Sequence, residues 1–401
     1  MANTALPAQP PFKLSSLAFS VYIPTLLFSI GEGAVLPIIP LFARERGATV
    51  AAAALVVAMR ALGTLLFDVP SGFVVSRFGD KGAMVAGTAL VAVVAVGVPL
   101  SRSLVVLAAL ILVMGGAWAF WQVGRLTYVS EITPIPQRGR ALSLAGGVSR
   151  AGTFVGPILG GLLGKHYGLE SAFYAQAVMV FAASVMVFIV VRKTSESEEA
   201  GGHGLGGRLV ATVVHHRDIF LSAGLAVIAL QMVRQGRDVF LPLWGDSIGL
   251  DVAQIGLVFG ASSLLDVGLF YPVGYVMDRW GRKWAGVPSL LTLSLGLLIL
   301  PVTTELYGYA LVAMLTGIGN GLGPGIVMTL GADFAPRARR GEFLGVWRFI
   351  SDVGSAGGPL AVSAITGVAS LALAAIFTAV LGFTGAVVMW RGVPETLRRG
   401  P

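Results

Sequence analysis

Long apolar runs recur along the whole of this 401-residue sequence. A run of about 18 or more mostly apolar residues is long enough to cross the hydrocarbon core of a bilayer as a helix. Charged residues, or glycine and proline breaks, separate twelve such runs. They lie at 15–43, 49–75, 82–101, 104–130, 141–165, 170–191, 218–244, 251–277, 284–302, 306–332, 342–367 and 370–390. The sequence therefore predicts an all-α membrane protein with twelve transmembrane helices.

The composition agrees with this class and argues against several others. Hydrophobic residues make up 55% of the chain and charged residues 12%, and the mean hydropathy is +0.83. The chain has no cysteine, and three of its four histidines lie in one polar stretch, so we expect no disulfide, no thiol catalysis and no metal site. The formal charge of +8 is explained by basic loops on one side of a membrane, and we expect no nucleic-acid partner.

One polar segment divides the chain into two halves. Residues 192–217 read RKTSESEEAGGHGLGGRLVATVVHHR and are rich in glycine, serine and charge, which is typical of a flexible or interfacial linker. Six of the predicted helices lie on each side of this segment. We therefore expect a six-helix bundle at 1–191, a cytoplasmic linker at 192–217 and a second six-helix bundle at 218–401.

The basic residues are unevenly distributed between the two sides of the predicted membrane. If the N-terminus is cytoplasmic, the cytoplasmic segments contain 18 of the 28 Lys and Arg residues, and the opposite side contains four. Basic residues accumulate on the cytoplasmic side of membrane proteins. This bias predicts a multi-pass protein of the cell (inner) membrane with both termini in the cytoplasm. The polar N-terminal stretch MANTALPAQPPFK is accordingly interpreted as a cytoplasmic tail.

The two halves are repeats of each other. The stretch GFVVSRFGDK at 72–81 is similar to GYVMDRWGRK at 274–283, which follows it by 202 residues. The same offset needs no gap through five predicted helices. It pairs Pro70 with Pro272, Glu131 with Asp333, Arg138 with Arg340, Gly152 with Gly354, Gly156 with Gly358 and Pro157 with Pro359. Parallel six-helix repeats with a substrate site between them are an architecture of transporters, so we expect two pseudo-symmetric bundles.

At these motifs the chain resembles the major facilitator superfamily. GYVMDRWGRK matches the family's G-x-x-x-D-R-x-G-R-K signature between the second and third helix of a half, and EITPIPQRGRA is similar to its loop after the fourth helix. GEGAVLPIIP in the first helix and GTFVGPILGG in the fifth resemble motifs of the 12-helix drug:proton antiporter branch. The resemblance implies the major facilitator fold. It also implies leak-excluding close packing by Gly152, Gly156, Pro157, Gly160 and Gly161.

The first half departs from the family pattern. Ser76 stands at the acidic position of the signature and Asp80 at an expected basic position, so the complete signature lies in the second half. Arg125 in the fourth helix is not followed by the x-x-Q-G of the antiporter branch, and it lies only six residues before Glu131. The resemblance therefore does not extend a proton-coupling role to Arg125.

The charged loops are predicted to form a latch between the halves on the cytoplasmic face. Asp278 can face the positive N-terminal end of the fifth helix. Arg279 can pair with Asp333, and Arg77 can pair with Glu131; these contacts must break when that face opens. The alternative is that these charges only set the topology. The predicted latch residues are Arg77, Lys81, Glu131, Arg138, Asp278, Arg279, Arg282, Lys283, Asp333 and Arg340.

Eleven ionisable residues fall within the predicted spans, where an unpaired charge costs at least a few kcal/mol. We therefore expect them to face the interior of the bundle. They are Glu32, Arg60, Asp68, Arg125, Arg150, Arg234, Arg237, Asp238, Asp266, Arg348 and Asp352. The family resemblance implies that the second helix meets the eleventh, and the fifth meets the eighth, between the halves. The expected interdomain locks are Arg150 with Asp266, and Arg60 and Asp68 with Arg348 and Asp352; static pairing is the alternative.

The family resemblance also implies a central cavity lined by the first and seventh helices. Glu32 and its repeat equivalent Arg234 lie ~15 Å from the outer ends of these helices, near the midplane. Glu32 lies between two glycines, so we expect room for water beside it. We predict that Glu32 carries the coupling proton, with Asp238 as the second candidate. The predicted cavity residues are Glu32, Arg234, Arg237, Trp118, Trp121 and Phe240, although aromatic residues at helical spacing can equally pack in the core.

Two functions remain open from the sequence. The antiporter-type motifs and the titratable Glu32 favour proton-coupled efflux of small amphipathic compounds. Uptake or exchange of an organic anion or metabolite is the alternative, with Arg234 and Arg237 binding the anion. No nucleophile–base pair or phosphate loop indicates an enzyme or an ATPase, so we expect a proton gradient and no cofactor. The expected partners are a small-molecule substrate, protons and the lipid bilayer, and we expect a monomer.

Overall fold

The computed structural model describes residues 14–192, 212–336 and 339–397. Most of the predicted linker lies outside the described residues. The regular secondary structure of the described residues is helical throughout. The prediction of an all-α protein is therefore confirmed.

Six membrane-spanning helices form the first half. The element Val50–Leu100 is divided at Gly79, whose φ is 75°, and we count it as α2 (50–78) and α3 (80–100). The first helix is also interrupted, between Val35 and Ile38. The other bounds are Ile23–Val35 and Ile38–Glu45 for α1, Leu104–Ile132 for α4, Ile135–Tyr167 for α5 and Glu170–Val190 for α6.

Six further helices form the second half. The first of them, α7, begins with the short turns Arg217–Ile219 and Phe220–Gly224 and continues as Leu225–Ser247. The fourth, α10, is interrupted at Gly323. The other bounds are Val252–Arg279 for α8, Lys283–Ile299 for α9, Leu306–Leu322 and Pro324–Phe334 for α10, Arg340–Val368 for α11 and Leu371–Gly392 for α12.

Nine elements of the described residues are both long and apolar enough to cross a membrane, and one of these is the 51-residue element that contains α2 and α3. The helices α5 and α11 have sufficient length, 33 and 29 residues, but their glycines and charges lower their apolarity. Both lie against spanning helices, α5 on α1 and α8, and α11 on α7 and α2. The architecture therefore has the twelve helices that the sequence predicts.

The internal repeat extends to the backbone. Gly79 and Gly281 have positive φ values of 75° and 117°, each where the chain passes from the second to the third helix of its half. A residue with a side chain would be strained at either position. Thr49 caps the start of α2 with its hydroxyl, and its repeat equivalent Asp251 caps the start of α8 with its carboxylate. The offset of 202 residues is therefore an offset between equivalent backbone features.

The same repeat governs helix packing within each half. A Cβ atom on Gly152 of α5 would lie 2.5 Å from the Cβ of Ser29 in α1. A Cβ atom on the equivalent Gly354 of α11 would lie 2.9 Å from the Cβ of Gln231 in α7. Small residues at these points let the helix backbones approach closely. The expected tight packing of the antiporter-type motif on α1 is present.

The two halves meet along α5 with α8 and along α2 with α11, as the family resemblance implies. A Cβ atom on Gly161 of α5 would lie 3.0 Å from the Cα of Gly256 in α8. At the end of these helices, Lys165 Nζ donates a hydrogen bond of 2.9 Å to Asp251 Oδ2. These contacts lie far from the α2–α3 and α8–α9 turns. We call the side with those turns the basic face, and the other side the opposite face.

The halves part toward the basic face. Several glycines beyond the last contacts between the halves have no atom within 4 Å of the position that a Cβ would take. They are Gly72 on α2, Gly146 and Gly147 on α5, Gly268 on α8 and Gly345 on α11. Within the described ranges, no ion pair joins the halves at the basic face. The structure is therefore closed at the opposite face and open at the basic face.

Candidate functional site: a charged cavity between the two halves

Glu32 and Arg60 form an ion pair inside the first half. Glu32 Oε2 of α1 accepts a hydrogen bond from Arg60 Nη2 of α2. The second oxygen, Oε1, is buried and has no hydrogen-bond partner among the described residues. The prediction that Arg60 meets Arg348 and Asp352 between the halves is therefore wrong. Residues eight apart on a helix differ by about 80° in direction, so Arg60 faces α1 while Asp68 faces α11.

The glycines on each side of Glu32 contact neighbouring helices. A Cβ atom on Gly31 would lie 3.2 Å from Gln176 of α6, and one on Gly33 would lie 3.1 Å from Pro157 of α5. The expectation that these glycines leave room for water is therefore wrong, because α5 and α6 occupy the space. Close helix packing holds the backbone of Glu32 in place instead.

Arg234 of α7 has neutral hydrogen-bond partners. Its Nε donates to Asn320 Oδ1 of α10 at 2.7 Å, and its Nη1 donates to Gln231 Oε1 at 3.3 Å. The side chain is partly exposed, and in the described part of the chain no carboxylate lies within ion-pairing distance of it. A guanidinium has five N–H donors, so Arg234 has N–H groups that can donate to a further acceptor.

Arg237, which the sequence predicts in the cavity, is buried instead. Only 3% of the residue is exposed, between α7, α8 and α10. Its Nε donates to Thr316 Oγ1 at 3.0 Å and its Nη2 donates to Ser262 Oγ at 2.5 Å. Asp238 Oδ1 accepts from its Nη1 at 3.2 Å. The prediction that Arg237 binds substrate is therefore wrong, because its donors are used inside the second half. The coupling role of Asp238 stays a prediction.

Two of the predicted cavity aromatics are core residues. Trp121 is buried and stacks on Phe28, with the ring centroids 5.2 Å apart. Phe240 is fully buried. Both predictions are therefore wrong, because these side chains fill the interior of their own halves. Trp118 is only partly buried and packs at the edge of the core.

Two ion pairs join the halves at mid-depth. Arg150 Nη1 of α5 lies 3.0 Å from Asp266 Oδ1 of α8, and Arg348 Nη2 of α11 lies 2.5 Å from Asp68 Oδ1 of α2. Both predicted contacts are confirmed, and Arg348 Nε also lies 3.9 Å from Asp352 Oδ2. When the two halves are aligned by the offset of 202 residues, Arg348 and Asp68 lie one helical turn closer to the basic face than Arg150 and Asp266.

The Arg150–Asp266 contact does not require a closed basic face. The sequence predicts it for a state closed on that side, but it is formed here while that side is open. The reason is its depth, because the two residues lie near the middle of α5 and α8, at the level where the halves begin to part.

Reversing both charges of this pair should restore activity that each single reversal removes. Arg150→Asp or Asp266→Arg alone places like charges together inside the membrane, at an expected cost of about 3 kcal/mol. The double variant regains the ion pair. Rescue should be partial, because Asn320 presents an N–H group to position 266. Vesicle transport per folded molecule measures the effect, with reversal of the Arg46–Glu170 pair as the control. No gain in the double variant would contradict a direct functional contact.

At the basic face, Asp333 forms an ion pair within the second half, but with a different arginine from the predicted one. Arg282 Nε pairs with Asp333 Oδ2 at 3.0 Å. Arg279 Nη1 instead donates to Tyr275 OH at 2.5 Å, so the predicted Arg279–Asp333 pair is wrong. The helix α8 ends at Arg279, and the positive φ of Gly281 then turns the chain so that Arg282 faces α10.

The contacts predicted for Asp278 and Arg77 are absent among the described residues. The side chain of Asp278 is 82% exposed and pairs with Arg282 at 3.4 Å, so its predicted contact with the start of α5 is absent. The guanidinium of Arg77 lies 5.8 Å from the ring centroid of Phe78. No Arg77–Glu131 ion pair forms within the described residues. The first difference follows from the separation of the halves at this face, whereas Arg77 and Glu131 belong to the same half and Arg77 lies beside Phe78 instead.

The remaining predicted latch residues contact their own halves or solvent. Lys81 Nζ lies 5.2 Å from the ring centroid of Phe188, and Lys283 Nζ donates to the Trp390 carbonyl at 2.7 Å. Arg138 is partly buried in the first turn of α5, and Arg340 is exposed at the start of α11.

Two uncharged amides complete the cavity network. Asn320 Nδ2 donates to Asp266 Oδ2 at 2.9 Å, and Gln231 Nε2 donates to Ser351 Oγ and Ser355 Oγ of α11 at 3.2 and 3.1 Å. A search for intramembrane charges does not find them. For Asn320 the sequence signal is a single amide in an apolar run, whereas Gln231 lies in a stretch that also contains Arg234 and Gln235.

Arg125 is also bound by neutral groups. Its Nη1 donates to Thr25 Oγ1 at 3.3 Å and its Nη2 donates to Gln122 Oε1, while the guanidinium lies 5.7 Å from the ring centroid of Trp121. In the described ranges it has no carboxylate within ion-pairing distance. These contacts attach α4 to α1 near the basic face.

A cavity of about 440 Å³ lies at the opposite face. Arg44 and Asp246, whose Nε and Oδ2 atoms are 3.9 Å apart, line it from the two halves. Beside it, hydrogen bonds from the Gln254 N–H and the Lys165 ammonium lower the pKa of Asp251. The Lys165 contact is therefore present above the ordinary carboxyl pKa and weakens as pH falls below it. Within the described part of the chain, no group of three His, Asp or Glu could hold a metal ion.

Comparisons with known sequences identify related membrane transporters. The family model described as Major Facilitator Superfamily matches residues 21–236 and 223–401. An uncharacterized MFS-type transporter of Methanocaldococcus jannaschii is 21% identical over 383 residues, which is 92% of this chain and 97% of that protein. The multidrug resistance protein MdtG of Salmonella typhimurium is 26% identical over 321 residues, which is 73% of this chain and 77% of that protein.

Solved structures share the fold. A crystal structure of the nucleoside transporter NupG superposes with a TM-score of 0.78 at 12% identity, covering 95% of this chain and 100% of that one. A crystal structure of a D-xylose-proton symporter gives a TM-score of 0.73 at 14% identity, covering 95% of this chain and 98% of that one. At these identities the likeness indicates a common architecture of two six-helix bundles.

Proposed function

Because the chain belongs to the Major Facilitator Superfamily, we propose that this transporter exports small amphipathic compounds in exchange for protons. The similarity to MdtG, a multidrug resistance protein, supports the substrate class. The motif that packs α5 on α1 supports the antiporter branch. The basic face is taken as cytoplasmic, with both termini on that side and the protein in the inner membrane.

The observation that carries the coupling proposal is the state of Glu32. One carboxylate oxygen accepts from Arg60, and the other is buried without a hydrogen-bond partner among the described residues. A buried carboxylate oxygen without a hydrogen-bond partner costs free energy because it carries charge, and a proton at Oε1 removes that charge. Protonation neutralises Glu32 and weakens its attraction to Arg60, and release of the proton restores the pair. Binding and release of a proton at Glu32 therefore weaken and restore the contact between α1 and α2.

The distribution of contacts between the halves supports transport by alternating access. In the observed state, the opposite face is closed by the Gly161–Gly256 approach and the Lys165–Asp251 pair. In the second state these contacts separate and the basic face closes. In that state the predicted latch residues, which include Asp278, can contact the other half.

A second candidate function is the transport of an organic anion. The observation that favours it is Arg234, a cation in the cavity whose partners Asn320 and Gln231 are neutral. A substrate carboxylate could form a bidentate ion pair with its guanidinium. In this case Arg234→Gln should weaken substrate binding, whereas a cationic substrate should bind better to that variant.

Vesicle transport with defined compounds tests both functions. Purified protein in liposomes would be given a pH gradient and a panel of cationic, neutral and anionic amphipathic compounds. Export predicts accumulation of cationic or neutral compounds that reverses when the gradient is reversed. Gradient-driven movement of anions alone would replace the first proposal with the second, and movement of no compound under either gradient would contradict both.

A further inference from the structure

A single amide connects the cavity arginine to the ion pair between the halves. Asn320 Oδ1 accepts from Arg234 Nε at 2.7 Å, and Asn320 Nδ2 donates to Asp266 Oδ2 at 2.9 Å. Asp266 Oδ1 lies 3.0 Å from Arg150 Nη1 of the other half. The chain of contacts therefore runs from α7 through α10 and α8 to α5. Arg234 and Asp266 form no direct ion pair with each other in the described residues.

The orientation of this amide is determined by its two neighbours. An arginine can only donate and an ionised aspartate can only accept, so the Asn320 oxygen must face Arg234 and its N–H group must face Asp266. Hydrogen bonds at the two ends of one amide polarise each other. The strength of the bond to Asp266 therefore depends on whether Arg234 holds the amide oxygen.

We propose that Asn320 is a positioning residue that makes the contact between the halves depend on Arg234. Asp266 is shared between Arg150 of the first half and Asn320 of its own half. When Arg234 no longer donates to the Asn320 oxygen, the Asn320 N–H group becomes a weaker donor to Asp266. Asp266 then forms a stronger ion pair with Arg150. An acceptor group on a substrate that captures Arg234 therefore strengthens the Arg150–Asp266 contact. This inference rests on the proposed transport function, because it links substrate binding in the cavity to the contact between the halves.

The register of the repeat supports a role specific to the second half. The residue equivalent to Asn320 in the first half is Trp118, and the residue equivalent to Asp266 is Thr64. Thr64 Oγ1 donates to the Gly115 carbonyl within its own half at 3.2 Å. The amide connection has no counterpart between these equivalent positions, so packing shared by the two halves does not account for it.

Cysteine labelling tests the proposal without any substrate. Gly146→Cys places a thiol at the basic-face opening, where a Cβ has no neighbour within 4 Å, in a chain with no other cysteine. The rate of its reaction with a membrane-impermeant maleimide reports the population open at that face. We take the Arg150–Asp266 contact to be weaker in the state closed at the basic face, so that strengthening it favours the open state. Arg234→Gln should then raise this rate by about threefold.

In an Asn320→Ala background, Arg234→Gln should leave the labelling rate unchanged, because the amide that joins Arg234 to Asp266 is already absent. Asn320→Ser, which is too short to reach both neighbours, gives the same test if the alanine variant does not fold. Thr329→Ala is the control on α10, since among the described residues its hydroxyl donates to the Gly325 carbonyl of its own helix and to no residue of the network. An unchanged rate in Arg234→Gln alone overturns the proposal. An equal increase in the labelling rate in proteins with and without Asn320 also overturns the proposal. In that case the charge of Arg234 acts on Asp266 directly through space. A failure of the export proposal would appear in the vesicle panel, not in this labelling.

Discussion

Glu32→Gln is expected to abolish transport driven by a pH gradient while leaving substrate exchange intact. The glutamine keeps the size of the side chain and a hydrogen-bond acceptor for Arg60, but it cannot bind and release a proton. Without that step, the proton gradient has no means of changing the contact between α1 and α2. We expect gradient-driven accumulation in liposomes to fall at least about tenfold, which corresponds to ~1.4 kcal/mol of lost driving free energy.

Exchange of labelled substrate at equal pH on both sides of the membrane separates coupling from folding. This exchange should persist in Glu32→Gln, because it needs alternating access but no net proton movement. Glu170→Gln is a matched control, since Glu170 is exposed and pairs with Arg46 away from the cavity. If Glu32→Gln vesicles concentrate substrate as well as the parent protein does, another group carries the proton, and Asp238 becomes the first candidate.

Gly160→Val is expected to prevent stable folding of the first half. A Cβ atom at this position would lie 2.0 Å from the carbonyl oxygen of Ala34 in α1, a backbone atom that cannot move aside without displacing the helix. Overpacking of a close contact typically costs 1–3 kcal/mol, and a clash with backbone is at the upper end or beyond, so we expect a loss of about 3 kcal/mol or more. Size-exclusion profiles in detergent and the midpoint of thermal unfolding measure the effect.

Gly147→Val on the same helix is the matched control. Position 147 has no atom within 4 Å of a Cβ, so the added side chain enters open space. This variant should elute as a single species, with a thermal midpoint close to that of the parent. Equal thermal midpoints for the two variants would mean that α5 does not pack on α1 as closely as the structure describes.

The contacts between the halves could be predicted from the sequence where the family resemblance supplied the helix pairs. Arg150 with Asp266 and Arg348 with Asp68 are present as expected, because the resemblance brings α5 to α8 and α2 to α11. The same reasoning places Arg60 at this interface, but Arg60 pairs with Glu32. Depth in the membrane can be counted along a sequence, whereas the direction of a side chain around its helix depends on how that helix is rotated in the bundle.

The predicted cavity residues also show that the sequence does not give the direction of a side chain around its helix. Arg234 and Arg237 are three residues apart on one helix, yet Arg234 is partly exposed and Arg237 is buried between three helices. A charge inside the membrane indicates that a partner must exist, but it does not identify the partner. Asn320, which joins Arg234 to Asp266, carries no charge, so the criterion of an intramembrane charge does not predict it.

The sequence by itself determined the twelve helices, the division into two halves and the repeat of 202 residues. Each of these depends on local properties, namely the apolar length that a bilayer requires and the turn and cap residues that recur at equivalent positions. Only the tertiary structure decided that Arg60 pairs with Glu32, that Arg282 and not Arg279 meets Asp333, and that the basic face is open. These outcomes depend on the rotation and tilt of whole helices, which follow from the sum of many distant contacts and leave no periodic signal along the chain.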